Sequence, residues 1–158
     1  MAKYDDASWH YGGDFPKDLP EQNGATHIGM FLTWCIDHEL MSEEQIEDSA
    51  DDIQKVKDRT MTGGVFLMNN CDGKFTDYDL NEIGNSFATS YYEDDGEFAK
   101  QVSSFTTDYQ LILEQKYKDN STTLESFYHI EDSWENYDLI RSVVDKRFIE
   151  WQVSTESL

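Results

Sequence analysis

The spacing of apolar residues along the chain predicts a mainly α fold. Between residues 26 and 40 these residues recur at three- and four-residue steps, which is the period of one helix face. Thr26 is suited to cap this first helix, and a second helix with a thin apolar stripe is predicted to begin at Ser42. The residues of the first apolar face are Ile28, Phe31, Leu32, Cys35, Ile36 and Leu40.

The same period recurs in the second half of the chain. Residues 80–91 carry the most regular pattern, and Gly96 supplies a stop signal after it. A further helix is predicted over residues 98–109, and its continuation YQLILEQKY fits either more helix or a short strand. A final helix is expected over residues 134–151. Since strand-like alternation is scarce, we expect five or six helices, with at most a short strand or hairpin.

We expect one domain over residues 1–158, which is long enough to bury a core without disulfides. Residues 1–23 are predicted to form an extended or irregular arm, because Pro16 and Pro20 are the only prolines of the chain. Three aromatic residues can anchor this arm on the helical body: Tyr4, Trp9 and Tyr11.

The charge adds a functional expectation to this fold. The chain has 33 acidic residues against 12 Lys and Arg, which gives a formal net charge of -21. About 2–8 net charges keep a small domain soluble, so solubility alone does not account for the excess. Such a surface repels phosphate groups, which disfavours nucleic acids and anionic membranes as direct partners. We therefore expect a basic protein partner, with adaptation to high salt as the alternative explanation.

Two further features bear on location. No apolar run approaches the ~18 residues that a membrane helix needs, so we expect a cytoplasmic protein. Cys35 and Cys71 are far apart in sequence, and free thiols in a reducing compartment are expected.

An acidic face on the second helix is the candidate partner-binding site. Like charges four residues apart destabilise a helix by about 0.2–0.5 kcal/mol per pair, and a face selected only for hydration would interleave lysines. Residues 18–54 contain ten acids and no Lys or Arg, and residues 75–99 form a second base-free tract. A solvated face in a generally acidic protein is the alternative. The residues of the predicted site are Glu43, Glu44, Glu47, Asp48, Asp51 and Asp52.

The segment MNNCDGKFTDYD, residues 68–79, is similar to a calcium-binding EF-hand loop but lacks two of its ligands. With Gly73 at the sixth loop position, Met68 falls at the first, where Ca²⁺ requires an oxygen ligand. Asp79 falls at the last, in place of the longer Glu that binds through two oxygens. We interpret the segment as a turn followed by a helix start capped by Thr76, and expect no metal there.

The sequence contains no recognisable catalytic motif. It has neither a nucleophile elbow nor a phosphate-binding glycine loop, and Cys35 lies on a predicted apolar face. The four histidines show no catalytic spacing: His10, His27, His38 and His129. A metal site that uses His10 and His38 stays open as an alternative to plain surface histidines. We expect no enzyme, no catalytic residue, no bound metal and no cofactor.

Four segments together resemble a family of small bacterial cytoplasmic proteins known as a domain of unknown function. They are KYDDASWHYGGDFP, GATHIGMFLTW, CDGKFTDYDLNEIGNSFATSYY and YHIEDSWENYDLI followed by DKRFIEW. The resemblance covers nearly the whole chain and implies one domain, but it carries no activity. The aromatic residues around Trp9 and Trp134 either pack in the core or line a ligand pocket.

These observations predict an acidic inhibitory binding protein. The simplest form is an immunity protein that occludes a cognate, basic bacterial toxin, because small acidic bacterial proteins of this type include immunity proteins. Electrostatic attraction would give such an inhibitor fast association. The alternatives are a nucleic-acid mimic that inhibits a DNA-binding protein, and a metal-dependent enzyme whose site is not visible in the sequence.

Overall fold

The computed structural model describes residues 2–11 and 15–156 and confirms a mainly α fold. The α-helices are α1 (Thr26–Asp37), α2 (Glu43–Asp48), α3 (Ala50–Lys57), α4 (Gly63–Asn70), α5 (Glu82–Phe87), α6 (Glu97–Gln101), α7 (Phe105–Asp119) and α8 (Trp134–Glu156). Short 3₁₀ helices cover Ala7–His10, Glu21–Ala25, Asp77–Asp79 and Phe127–His129, and a π-helical turn, Ala88–Tyr92, follows α5. Among the described residues, no helix combines the length and apolarity needed to cross a membrane.

The N-terminal arm is anchored through both its backbone and its side chains. Strand β1 (Lys3–Asp6) pairs antiparallel with β2 (Lys74–Thr76), which is the short strand pair that the sequence left open. Tyr4 is buried as predicted, whereas Trp9 is 58% exposed and is not an anchor. Residue 1 and residues 12–14 of the predicted arm lie outside the described residues.

The acidic helix that begins at Ser42 is interrupted, contrary to the single helix predicted there. The Ser42 side chain accepts a hydrogen bond from the Gln45 amide at 3.0 Å and caps α2, as expected. Ser49 then adopts φ -127° and ψ 27°, which are not helical values. Its hydroxyl donates to Gln45 Oε1 at 2.7 Å, and the residue lies between the last residue of α2 and the first of α3. The chain therefore leaves α2 with a bend and resumes as α3.

Helix α1 is buried on all sides, whereas its pattern predicted a single apolar face. Every residue from Thr26 to Ile36 is buried. The ring of Phe31 lies within 5.8 Å of the rings of Phe75, Tyr92 and Phe105, which belong to three different elements. Hence the strand pair, the π-helical turn and α7 all pack around this helix.

Helices α1 and α4 cross in direct backbone contact. A Cβ atom on Gly29 would overlap the backbone of Gly63 and Gly64, and a Cβ atom on Gly63 would overlap the Gly29 carbonyl group. At Gly64 itself the nearest atom to an added Cβ is the Asp132 carboxylate oxygen, at 2.8 Å. The first two glycines are therefore required by space, and their replacement has to separate the helices.

We expect Gly29→Ala to lower the free energy of unfolding by more than about 3 kcal/mol, because the added methyl group meets backbone that cannot rotate away. Gly64→Ala is the matched control and should cost less, since a carboxylate side chain can move. Urea unfolding followed by circular dichroism measures both. A loss below about 1 kcal/mol for Gly29→Ala would contradict the close crossing.

Candidate functional site

The six predicted partner-binding residues lie on α2 and α3, and most of them face solvent. Asp52 is half-buried, and the other five are exposed. Because the helix is interrupted at Ser49, they follow two short helices with a bend between them. The exposed members are Glu43, Glu44, Glu47, Asp48 and Asp51.

Two of these carboxylates are engaged within the fold. Asp48 Oδ2 accepts a hydrogen bond from the Tyr78 hydroxyl at 2.8 Å. Asp52 Oδ2 accepts one from Asn70 Nδ2 at 2.9 Å, and this bond, with the nearby Lys55 ammonium group, lowers the pKa of Asp52. The carboxylates of the other four make no hydrogen bond or ion pair within residues 2–11 and 15–156, so they are available to a partner.

The fold joins the two base-free tracts of the sequence. The Ser42 amide donates to the Asp79 carbonyl group at 3.0 Å, and Gln45 Nε2 donates to Asp79 Oδ1 at 2.8 Å. These bonds hold α2 against the 3₁₀ helix Asp77–Asp79, where Tyr78 reaches Asp48. We call the exposed side chains at this junction the joined acidic surface: Glu43, Glu44, Ile46, Glu47, Asp48 and Tyr78.

The EF-hand-like segment is a turn and a capped helix start, as predicted. Asp72 and Gly73 take positive φ values of 53° and 74°. The Thr76 side chain and the Asp79 side chain form a capping box. Asp79 is buried and accepts hydrogen bonds from Gln45 and from the Thr76 amide, at 2.8 and 2.9 Å. Its carboxylate oxygens are therefore both occupied by protein donors.

Burial also changes the acidity of this region. It raises the pKa of Asp79, although the hydrogen bonds from Thr76 and Gln45 oppose the shift. Burial, reinforced by the adjacent Asp79 carboxylate, raises the pKa of the Cys71 thiol far above its usual value. Cys71 is thus a protonated thiol of low nucleophilicity, and the expectation of free cysteines is confirmed for both Cys35 and Cys71.

A second, buried polar cluster is centred on Asp5 of β1. His10 Nε2 lies 2.9 Å from Asp5 Oδ1, and His27 Nε2 lies 3.1 Å from Asp5 Oδ2. The Tyr92 hydroxyl donates to Oδ2 at 2.6 Å, and the Asp6 amide donates to Oδ1 at 2.8 Å. Burial alone would raise the pKa of Asp5, but the bonds from His10 and His27 outweigh it and hold that pKa far below its usual range. Asp5 is therefore a fully accepting carboxylate anion.

The two histidines of this cluster differ in their outer nitrogens. His10 Nδ1 lies 2.7 Å from the Tyr128 hydroxyl. His27 is only 1% exposed, and its Nδ1 has no hydrogen-bond partner among the described residues. Burial lowers the pKa of His27, so the ring is neutral and its Nε2–H donates to Asp5. An unsatisfied buried polar atom of this kind costs about 1–3 kcal/mol.

A cavity of ≈ 380 Å³ lies beside this cluster. Asp5, His10 and His27 line it together with Tyr128 and the largely exposed Trp9. Trp9, the aromatic residue of the N-terminal motif, therefore lines a pocket. Its lining also includes acidic side chains, Glu93 and Asp94.

Around Trp134, the second aromatic motif, the space over the ring is occupied by a cation. The Arg59 guanidinium group lies 4.9 Å from the ring centre and pairs with Asp138 through two hydrogen bonds of 3.1 and 2.6 Å. Tyr137 is buried and Trp134 is half-buried. These contacts fix the start of α8.

The sequence did not reveal the Asp5 cluster. It grouped His10 with His38, but His38 lies 3.0 Å from Asp145 and its ring stacks on Trp34. The predicted apolar face of the first helix did not include His27, but the structure buries His27 together with the rest of the first turn. The only hint in the sequence was a histidine within the first predicted helix, and its position does not indicate which residues it contacts.

The family model described as Domain of unknown function (DUF7832) matches residues 3–130 of the chain. The chain belongs to the DUF7832 family. This confirms the resemblance to an uncharacterised family, and most of the fourth sequence segment, residues 128–151, lies beyond the matched range. The matched part of this DUF7832 chain contains the joined acidic surface and the Asp5 cluster, whereas α8 lies beyond it. No curated protein and no solved structure matches the chain.

Asp79 links α2 to the second base-free tract, and removal of its carboxylate should loosen the joined acidic surface. We expect Asp79→Ala to lower the free energy of unfolding by about 2–4 kcal/mol, because it leaves the buried Gln45 amide and the Thr76 N–H without acceptors. Thermal and urea unfolding measure the loss. Asp77→Ala, which removes a neighbouring carboxylate, is the control and should change stability by less than about 0.5 kcal/mol. Equal effects of the two variants would contradict the assigned role.

Charge repulsion within α2 gives a prediction of opposite sign. We expect Glu47→Lys to raise the free energy of unfolding by about 0.2–0.5 kcal/mol, because it replaces the repulsion between Glu43 and position 47 with an attraction. The matched control on α7 is Glu114→Lys, which places a like charge four residues before Lys118 and should lower stability by a similar amount. Urea unfolding at low ionic strength resolves the two signs. A destabilised Glu47→Lys variant would show that α2 carries no repulsive cost.

Proposed function

We propose that this DUF7832 chain is an acidic inhibitory binding protein, most simply an immunity protein that occludes a basic bacterial toxin. The observation that carries the proposal is the joined acidic surface, where two base-free tracts contribute to one exposed region. Glu43, Glu44 and Glu47 present carboxylates there with no partner inside the described part of the chain. A basic protein that docked on them would supply the missing cations.

Electrostatics supports a role in association. A net charge of -21 attracts a basic protein over long distances, and local carboxylates then orient it. The like charges of α2 repel one another and destabilise the free helix, and a bound cationic surface would relieve that repulsion. Retention of this repulsion is expected of a surface selected for binding.

The joined acidic surface also contains apolar contact area. Tyr78 is 41% exposed and Ile46 is 44% exposed, and tyrosine is enriched among the residues that dominate binding energy. The hydrogen bond to Asp48 holds the Tyr78 ring in place, so little side-chain entropy is lost when a partner covers it. A groove of ≈ 460 Å³ next to Tyr78 offers room for a side chain of the partner.

A mimic of nucleic acid is less well supported by this geometry. Such a mimic needs carboxylates spaced like phosphates along an extended surface. Helix α2 has six residues and spans about 9 Å, and the bend at Ser49 interrupts its acidic stripe. The compact arrangement is better suited to one protein interface.

The test compares two variants with the same added charge. The first replaces Glu43, Glu44 and Glu47 with Lys on the joined acidic surface. The second replaces Glu114, Glu131 and Glu156 with Lys, all exposed and outside both base-free tracts. Wild type and both variants serve as baits for capture from native cell extract, and captured proteins are identified by mass spectrometry.

We expect a basic protein on wild type and on the second variant, with strong depletion on the first. Association of the purified partner should slow at least about tenfold for the first variant at low salt, since steering depends on local charge. The isolated partner should also lose its activity when mixed with wild type. Equal depletion of the captured partner on the two variants would show that only total charge matters. A partner that stays fully active in the complex would exclude inhibition.

A further inference from the structure

We propose that Asp5, His10 and His27 form a binding site for a divalent transition-metal ion, with Zn²⁺ as the best match. This site is separate from the proposed protein-binding role and does not depend on it. Two imidazole nitrogens and one carboxylate oxygen are a common ligand set for Zn²⁺ and other first-row dications.

The donor atoms are close to the positions that a metal ion needs. The ligand atoms of the three residues lie within 4.8 Å of one another. Tetrahedral Zn²⁺ with bonds of about 2.0–2.1 Å places its ligand atoms about 3.4 Å apart. The two nitrogen-to-oxygen separations are 2.9 and 3.1 Å, so small outward movements of the side chains would admit the ion.

The hydrogen bonds around His10 and Asp5 match those of metal ligands. Ligating histidines usually donate their other ring N–H to a fixed acceptor, and ligating carboxylates are hydrogen-bonded in turn. When the ion takes Nε2 of His10, the ring proton resides on Nδ1 and donates to the Tyr128 oxygen, 2.7 Å away. Asp5 would keep its bonds from the Tyr92 hydroxyl and the Asp6 amide.

The surroundings of His27 fix which of its nitrogens meets Asp5. The side chain is fully enclosed, yet its Nδ1 is unpartnered within the described ranges 2–11 and 15–156. When the ion takes Nε2, the ring proton resides on this Nδ1, which has no acceptor among the described residues. The rings of Phe127 and His10, with centres at 5.0 and 4.7 Å, hold the imidazole with Nε2 toward Asp5. The position is therefore set for Nε2 to act.

The adjacent cavity leaves one side of the site accessible. Three protein ligands beside an open space of ≈ 380 Å³ correspond to a site with a free coordination position for water or a small anion. His10 is half-buried and lines this cavity together with Asp5 and His27, so all three proposed ligands border the open space.

The test is metal titration of the chain after treatment with EDTA. Isothermal titration calorimetry with ZnCl₂ should show one ion per chain, with micromolar or tighter affinity. Titration of ¹⁵N-histidine-labelled protein should shift the Nε2 resonances of His10 and His27 and leave those of His38 unchanged. This measurement uses the wild-type chain and does not depend on how a variant folds.

Variants separate the ligands from their support. His10→Ala should weaken Zn²⁺ binding by at least about 100-fold, because loss of a ligand exceeds the 10–100-fold effect of an outer partner. Tyr128→Phe, which removes only the hydroxyl beside His10, should weaken it by about tenfold. Near-ultraviolet circular dichroism verifies that both variants keep the native fold.

The controls address the other histidines. His38→Ala removes a histidine paired with Asp145, and His129→Ala removes one that lies 3.0 and 3.3 Å from Asp18 and Glu125. Both should retain full affinity. Absence of saturable binding, unchanged histidine resonances at His10 and His27, or loss of binding in His129→Ala would each overturn the proposal.

Discussion

The complete burial of α1 is the constraint on which the rest of the structure depends. A helix that is enclosed on every side needs neighbours in all directions, and here they come from the strand pair, the π-helical turn and α4, α7 and α8. The contact with α4 is the tightest, because Gly29 and Gly63 bring two backbones together. Such a crossing fixes the relative position of the helices more firmly than side-chain packing alone.

Enclosure of α1 also determines the chemistry of the interior. His27 lies in its first turn and therefore has to be buried, so its polar nitrogens need partners from other elements. Asp5 of β1 supplies the acceptor for His27 Nε2, and the Tyr92 hydroxyl of the π-helical turn donates to the same carboxylate. These contacts place the three proposed metal ligands where β1, α1 and the π-helical turn meet.

Buried carboxylates act as connectors elsewhere in the same fold. Asp79 joins the second base-free tract to α2 through its hydrogen bond with Gln45. Asp108 of α7 accepts hydrogen bonds from the Tyr91 hydroxyl and the Arg147 guanidinium group, at 2.7 and 2.9 Å, and so connects the π-helical turn to α8. A charge that is buried with several donors tolerates few alternative arrangements, since any loss of a donor leaves it unpaired. On α2, by contrast, Glu43, Glu44 and Glu47 face water and have no partner among the described residues, so a binding protein can contact them.

The sequence by itself determined the features that local chemistry controls. The helical period identified a mainly α fold, Ser42 identified the start of α2, and the turn at Asp72 with the cap at Thr76 followed from residue type, because each depends on neighbours within a few positions. Only the tertiary structure decided which distant residues meet. The junction of Gln45 with Asp79 and the convergence of Asp5, His10 and His27 rest on contacts between residues far apart in the chain, and the period of a single helix carries no information about what packs against it. Both kinds of contact occur next to the bend at Ser49: the bond from its hydroxyl to Gln45 is local, whereas Gln45 is held in place by the distant Asp79.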